Sequence, residues 1–216
     1  MRPIGLFGSG APAHVLCLGA HSDDIEIGCG ATVLRLLDER PETRFTWVVL
    51  SATPEREREA RASAAAFLCG AKEFDVHVER FRENHFPWEG SRIKECLAAL
   101  AQQVAPDLVL THWRGDGHQD HRTVAELTWN HFRDHSLLEY EIPKWDGDLG
   151  RPNAYVAASA ALATRKVELL MEHFATQRGR PWFREDTFRA LLRLRGVECN
   201  APDGFAEAFH AHKLLL

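Results

Sequence analysis

Val15–Asp24 reads V-L-C-L-G-A-H-S-D-D, and this stretch decides the fold. Six consecutive small or apolar residues, Val15–Ala20, form the unbroken run of a strand buried on both faces. The polar turn His21–Asp24 follows, and then a glycine-containing helix over about Gly28–Asp38. The same alternation recurs downstream. Phe45–Leu50 (FTWVVL) and Asp107–His112 (DLVLTH) read as buried strands, with Asp75–Arg80 as a weaker one. Between them Glu55–Leu68 is rich in Ala, Glu and Arg, and Ile93, Leu97, Leu100 and Val104 recur at helical spacing before Pro106. A further helix carries Val124, Leu127 and Phe132, and Asn84–Gly90 reads as a loop. Strands separated by helices imply an α/β fold with a mostly parallel sheet and helices on both faces, because parallel neighbours need crossover connections.

The second half is less regular. Asp134–Asn153 is polar and aromatic, and reads as a long loop of the kind that often carries function. Ala154–Ala160 reads as a strand. Val167, Leu170, Met171 and Phe174 share a helix face, Gln177–Arg184 is a turn rich in Arg and Trp, and Thr187–Leu194 is helical. No repeat or interdomain linker interrupts residues 1–216, which read as a single domain.

Composition bounds the function. The chain has 216 residues, 45% hydrophobic and 26% charged, with a net charge of −5. That describes an ordinary globular protein without the basic footprint of a nucleic-acid or anionic-membrane binder. No apolar run is long enough to span a membrane, and Met1–Ala13 lacks the apolar core of a secretory leader. Five scattered cysteines without a C-x-x-C pair exclude a disulfide framework and point to the reducing cytoplasm. A homo-oligomer is compatible with the sequence. Twelve histidines stand against five lysines.

In open α/β sheets ligands bind beyond the carboxyl ends of the strands. His21, Ser22, Asp23 and Asp24 follow the first run there. Thr111 and His112 end a later run, and Gly117, His118, Gln119, Asp120 and His121 follow it. Imidazole and carboxylate suit zinc where thiolates are absent, and a catalytic zinc takes three protein ligands and leaves a fourth position for water. His21 and Asp24 can face one ion, and one histidine of the second cluster completes the set. Asp23 and the other histidine are then free to act on protons, since zinc lowers the pKa of its water to about 7. Each residue alone has a simpler reading: an aspartate before a helix is often an N-cap, and a loop histidine is often solvated. The joint pattern favours a metal.

A-H-S-D-D at 20–24, continuing I-E-I-G-C-G, together with H-Q-D-H at 118–121, resembles the signatures of the PIG-L/LmbE family of zinc-dependent N-deacetylases. The resemblance spans about residues 14–130, and the stretch L-E-Y-E-I-P-K-W-D-G-D-L-G at 138–150 is similar to a bacterial branch. It implies a Rossmann-like fold, one zinc per chain held by His21, Asp24 and His121, and Asp23 as general base. It also implies His118 as the group stabilising the oxyanion and protonating the amine, oriented by Asp120. The implied substrate is an N-acetylglucosamine unit of a larger small-molecule conjugate. Ser22 and Gln119 stand where the family usually has Pro; Ser22 can still cap the following helix.

Arg56, after the second strand, is a candidate contact to a substrate hydroxyl or phosphate, against the simpler reading of a solvated Arg/Glu helix face. Asp116 is a candidate site border, or merely shapes a turn. Trp88, Trp113, Trp145 and Trp182 could stack on sugar rings or simply pack. Gly28 and Gly30 lack the third glycine of a dinucleotide fingerprint. The alternatives are a two-metal phosphoesterase using the same residues, or a binding protein without catalysis. The other nine histidines, His112 included, are assigned to packing or surface.

Overall fold

The computed structural model describes residues 13–213, so most of the leader reading lies outside the described residues. Seven strands form one sheet: β1 (His14–Gly19), β2 (Arg44–Val49), β3 (Phe74–Val78), β4 (Leu108–His112), β5 (Ser136–Tyr140), β6 (Ala154–Ala158) and β7 (Phe205–His210). Their order is β3-β2-β1-β4-β5-β7-β6. The first five are parallel, and β7 runs antiparallel between β5 and β6. The expected α/β architecture is thus present, with an antiparallel pair added at one edge.

Alternate strand residues feed two cores. Val15, Cys17, Phe45, Trp47, Val49 and Leu110 pack against α1 (Asp24–Glu39), α2 (Pro54–Phe67), α5 (Ala160–His173) and α6 (Glu185–Cys199). Leu16, Leu18, Val48, Leu50 and Val109 face α3 (Phe86–Gln103) and α4 (Gln119–His131) on the other side. Strand order reverses between β1 and β4, and the crevice beyond their carboxyl ends is the ligand position of such sheets.

Two expectations need correction, and one strand was not foreseen. Residues 134–153 are not one loop, because Ser136–Tyr140 is a buried strand in the middle of the sheet. Glu139 disguised it, yet this carboxylate is fully buried and accepts hydrogen bonds from Arg114 Nε (2.9 Å), Trp129 Nε1 and the Arg114 amide. Asn84–Gly90 is not all loop either. Helix α3 begins at Phe86 with Pro87 in its first turn, where a missing N–H costs nothing. The strand β7, F-A-E-A-F-H, gave no readable run because Glu207 interrupts it.

Glu207 explains a kink in α1. Cys29 departs from helical geometry at φ −141° and ψ 17°. Lys166 Nζ donates to the Ile27 carbonyl (2.6 Å), and Glu207 accepts from the Ala31 amide (2.8 Å), which would otherwise be each other's helical partners. The Lys166–Glu207 pair (2.5 Å) is therefore inserted into the helix ladder, a recognised cause of bending. Gly28 serves close packing rather than dinucleotide binding: a Cβ there would lie 2.1 Å from the Tyr140 ring.

Candidate metal centre and cleft

The β1–α1 turn and the start of α4 meet at the β1/β4 crevice. His21, Asp23, Asp24 and His121 are all buried there, although four such polar groups carry a large desolvation cost unless paired. Asp23 occupies the N-cap position of α1 but makes no side-chain cap bond, so the simple capping reading fails. Ser22 does not cap either; its Oγ is buried without a hydrogen-bond partner among the described residues. Instead Asp23 Oδ1 accepts from Arg56 Nη2 at 2.7 Å. Arg56 projects from the first turn of α2, and Glu83 Oε2 lies 3.6 Å from its Nη1.

Lone-pair atoms of three residues converge, Asp24 turning Oδ2 toward His21 and Oδ1 toward His121. His121 Nε2 lies 3.2 Å from His21 Nδ1 and 3.5 Å from Asp24 Oδ1, and His21 Nδ1 lies 3.3 Å from Asp24 Oδ2. Bonds of about 2.0–2.1 Å around a tetrahedral zinc place neighbouring ligand atoms roughly 3.3 Å apart, so the spacing fits such an ion. The outer ring nitrogens agree. His21 Nε2 donates to Asp120 Oδ2 (3.2 Å), and His121 Nδ1 donates to Asp116 Oδ2 (3.0 Å). Each histidine is thereby fixed in the tautomer whose free nitrogen faces its partners, the arrangement usual for metal-ligating imidazoles.

The electrostatics point the same way. Burial disfavours charge on His21, but Asp24 and Asp120 outweigh it and hold the imidazole up at about 10. Burial and the neighbouring His112 push His121 down to about 3. Burial raises Asp24, but His121, His112 and His21 more than offset this and hold it well below the usual carboxylate range. The cluster is built around one positive charge, whether proton or metal. Asp23 differs: burial and the adjacent Asp24 raise it, with Arg56 opposing.

His118 caps α4, its Nδ1 accepting the Asp120 amide at 3.2 Å, which leaves the proton on Nε2. The ring packs beside His21 (5.0 Å) and His121 (4.6 Å). The Asp120 carboxylate does not orient His118 as the resemblance implied. It holds His21 and accepts from the amides of Asn84 (2.6 Å) and Phe86 (3.1 Å), tying the start of α3 to the site. Asp116 is not positioned to meet substrate, because it is buried behind His121 and its Oδ1 accepts from the His118 amide (2.7 Å). Gln119, where the family usually has Pro, donates to the Asn84 carbonyl at 2.6 Å and so fastens a loop in which Asn84 adopts φ 63°.

His112, which the sequence assigns to packing or surface, forms the floor of the cluster. It is fully buried, stacks on His121 at 4.0 Å, and places Nε2 3.2 Å from Asp24 Oδ2. Its position at the end of the β4 run was the available signal. A cleft of about 250 Å³ opens above the cluster, and His21, Asp23, His118, Arg56, Glu83 and Lys144 are among its lining residues. Trp145 and Trp182 also line it, whereas Trp113 stacks on His210 (4.3 Å) and Trp88 is exposed outside the cleft.

The PIG-L family, described as GlcNAc-PI de-N-acetylase, matches residues 16–132, more than half of the chain. The chain belongs to the PIG-L family. Membership makes it an N-deacetylase of a family of metalloenzymes, and its His/Asp cluster is able to hold a metal. A search of curated proteins finds no match. Among solved structures it is similar to the N,N'-diacetylchitobiose deacetylase of Pyrococcus horikoshii, with TM-score 0.74 and 18% identity over 94% of this chain and 85% of that one. The A40926 pseudoaglycone deacetylase Dbv21 matches with TM-score 0.67 and 20% identity, over 94% and 98%. GalB, the 4-carboxy-2-hydroxymuconate hydratase of Pseudomonas putida KT2440, matches with TM-score 0.74 and 17% identity, over 94% and 97%. A hydratase on this PIG-L fold means that fold alone does not settle the reaction.

Proposed function

We propose that this PIG-L protein removes the N-acetyl group from an N-acetylglucosamine-type sugar within a larger conjugate, using one zinc ion held by His21, Asp24 and His121. The observation that carries the reading is the convergence of His21 Nδ1, Asp24 and His121 Nε2 at zinc-ligand spacing, in the same cleft as Asp23 and His118. When bound there, zinc supplies Lewis acidity toward the amide carbonyl and acidifies water. Arg56 engages Asp23 Oδ1 and leaves Oδ2 to take the proton from the attacking water. His118, with its proton on Nε2, donates a hydrogen bond to the developing oxyanion, and the proton that Asp23 took from water passes to the departing amine. The balanced reaction consumes water and yields acetate and the free amino sugar.

The two-ion alternative draws less support. A second ion would use Asp24, His112 and His121, which share His121 with the trio His21–His118–His121 and both Asp24 and His121 with the zinc ligands proposed here, and His112 Nε2 already accepts the Ala20 amide at 2.9 Å. Trp145 and Trp182 offer aromatic faces to the remainder of the conjugate. Five free cysteines suit a reducing cytoplasm, and no described helix is long and apolar enough to cross a membrane. The test is acetate release from a panel of N-acetylglucosamine conjugates, with and without a chelator. Chelator-sensitive release from at least one conjugate is expected; release that survives complete metal removal overturns the assignment.

A further inference from the structure

Lys144 is one of five lysines in the chain, and its side chain is only 6% exposed. Its ammonium lies 2.9 Å from Asp116 Oδ1 and 2.6 Å from Asp148 Oδ2. The other oxygen of that same Asp116 holds His121 Nδ1. Asp148 in turn accepts the backbone N–H of Gly117, the residue between Asp116 and His118. The approach is close enough to exclude a side chain at position 117, where a Cβ would lie 2.7 Å from Asp146 Cβ. Residues 144–148 thus press on the Asp116–His118 segment through a charge pair, a hydrogen bond and direct packing. The next two side chains, Trp145 and Asp146, face the cleft.

We propose that Lys144 is a positioning residue for the metal centre: it fixes the Asp116 carboxylate that orients His121, and so couples metal affinity to the cleft wall formed by Trp145 and Asp146. The physical basis is direct. An Asp116 released from Lys144 is free to turn away from His121 Nδ1, and His121 then loses both its tautomer and its aim. Partners of metal-bound histidines typically carry about 10–100-fold in metal affinity. Because the strap carries cleft residues, loosening it also raises KM for substrate. This inference rests on His121 being a metal ligand, and it does not depend on which conjugate is cleaved.

The experiment uses the full chain, stripped of metal and titrated with Zn2+ against a competing chelator, and with Co2+ for its visible absorption spectrum. Lys144→Met is expected to bind Zn2+ about 10-fold more weakly and to alter the Co2+ spectrum, with Lys144→Arg restoring most of both. Asp148→Asn, which leaves the Asp116 contact in place, is expected to show a smaller loss. A folded Lys144→Met with wild-type Zn2+ affinity and an unchanged Co2+ spectrum overturns the proposal, since a merely structural lysine moves only stability. If Lys144→Met does not fold, Asp148→Asn decides: weaker Zn2+ binding supports the coupling and wild-type binding overturns it. A wild-type chain that takes up no divalent metal overturns both this inference and the proposed function. Normal Zn2+ coupling without acetate release overturns the proposed function alone.

Discussion

Two buried polar clusters sit on the same helix, α1, and they are built on opposite plans. At the helix start, His21 Nδ1, His121 Nε2 and Asp24 turn lone pairs toward one another. Two turns later, Glu207 accepts from the Ala31 amide, the Thr32 amide (2.7 Å), Thr32 Oγ1 (2.6 Å) and Lys166 Nζ, and Lys166 satisfies the Ile27 carbonyl. The second cluster closes on itself. The two charges neutralise each other, and the Ile27 carbonyl and the Ala31 and Thr32 amides all have partners, which is how buried polar groups are tolerated in a structural role. The first is complete only when a positive charge enters. Unspent lone pairs, rather than burial or charge alone, separate a site from a staple.

Substitutions in the first cluster break that contrast most strongly. His21→Ala removes a lone pair and is expected to abolish both metal uptake and turnover, measured by metal analysis and acetate release. Asp23→Asn leaves the three converging side chains intact, so metal content should stay at wild type while kcat falls by about 10²–10⁴-fold. Lys166→Met attacks the other cluster by leaving Glu207 without its counter-ion. A stability loss of about 3–5 kcal/mol in denaturant unfolding is expected, with the metal affinity of the folded fraction unchanged.

The mildest test concerns Glu26, which lies on α1 between the two clusters with its carboxyl group fully buried and only Ser63 nearby to oppose the cost of burial. Burial, reinforced by Asp23 and Asp24, pushes its carboxyl well above the ordinary range. As pH rises past the unfolded-state value, the unfolded chain gives up this proton while the folded chain keeps it, so stability declines with pH. Glu26→Gln removes that decline. The variant should match the wild type in acid and exceed it at and above neutrality in thermal unfolding; equal slopes against pH would show that Glu26 ionises freely in the fold.

How much of this was legible follows from where partners lie along the chain. His21, Asp23 and Asp24 are contiguous, as are His118–His121, and both groups follow apolar runs that announce strands. The place of Arg56 in the cleft was legible for the same reason, since it is the third residue of the helix after β2, but its pairing with Asp23 was not. Lys144 and His112 were not, because their meaning depends on partners 28 and 88 residues away, Asp116 and Asp24. Strands β5 and β7 escaped because Glu139 and Glu207 interrupt their apolar character. Their compensating donors, Arg114, Trp129 and Lys166, come from elsewhere in the sequence. Non-local charge compensation is invisible to a pattern read in windows.

The placement of β7 bears on how the molecule is made. It is synthesised after β6 yet lies inside it, pairing with β5 on one side and β6 on the other. During translation β6 therefore has no neighbour among the described strands, and the edge of β5 that β7 covers stays open until residues 205–210 emerge. The clamp on the α1 kink waits for the same moment, since Glu207 arrives with that strand. The nascent chain can assemble the units bearing His21 and His121 early, but it must hold two unsatisfied strand edges until then, the stage at which it is most exposed to pairing with a neighbour.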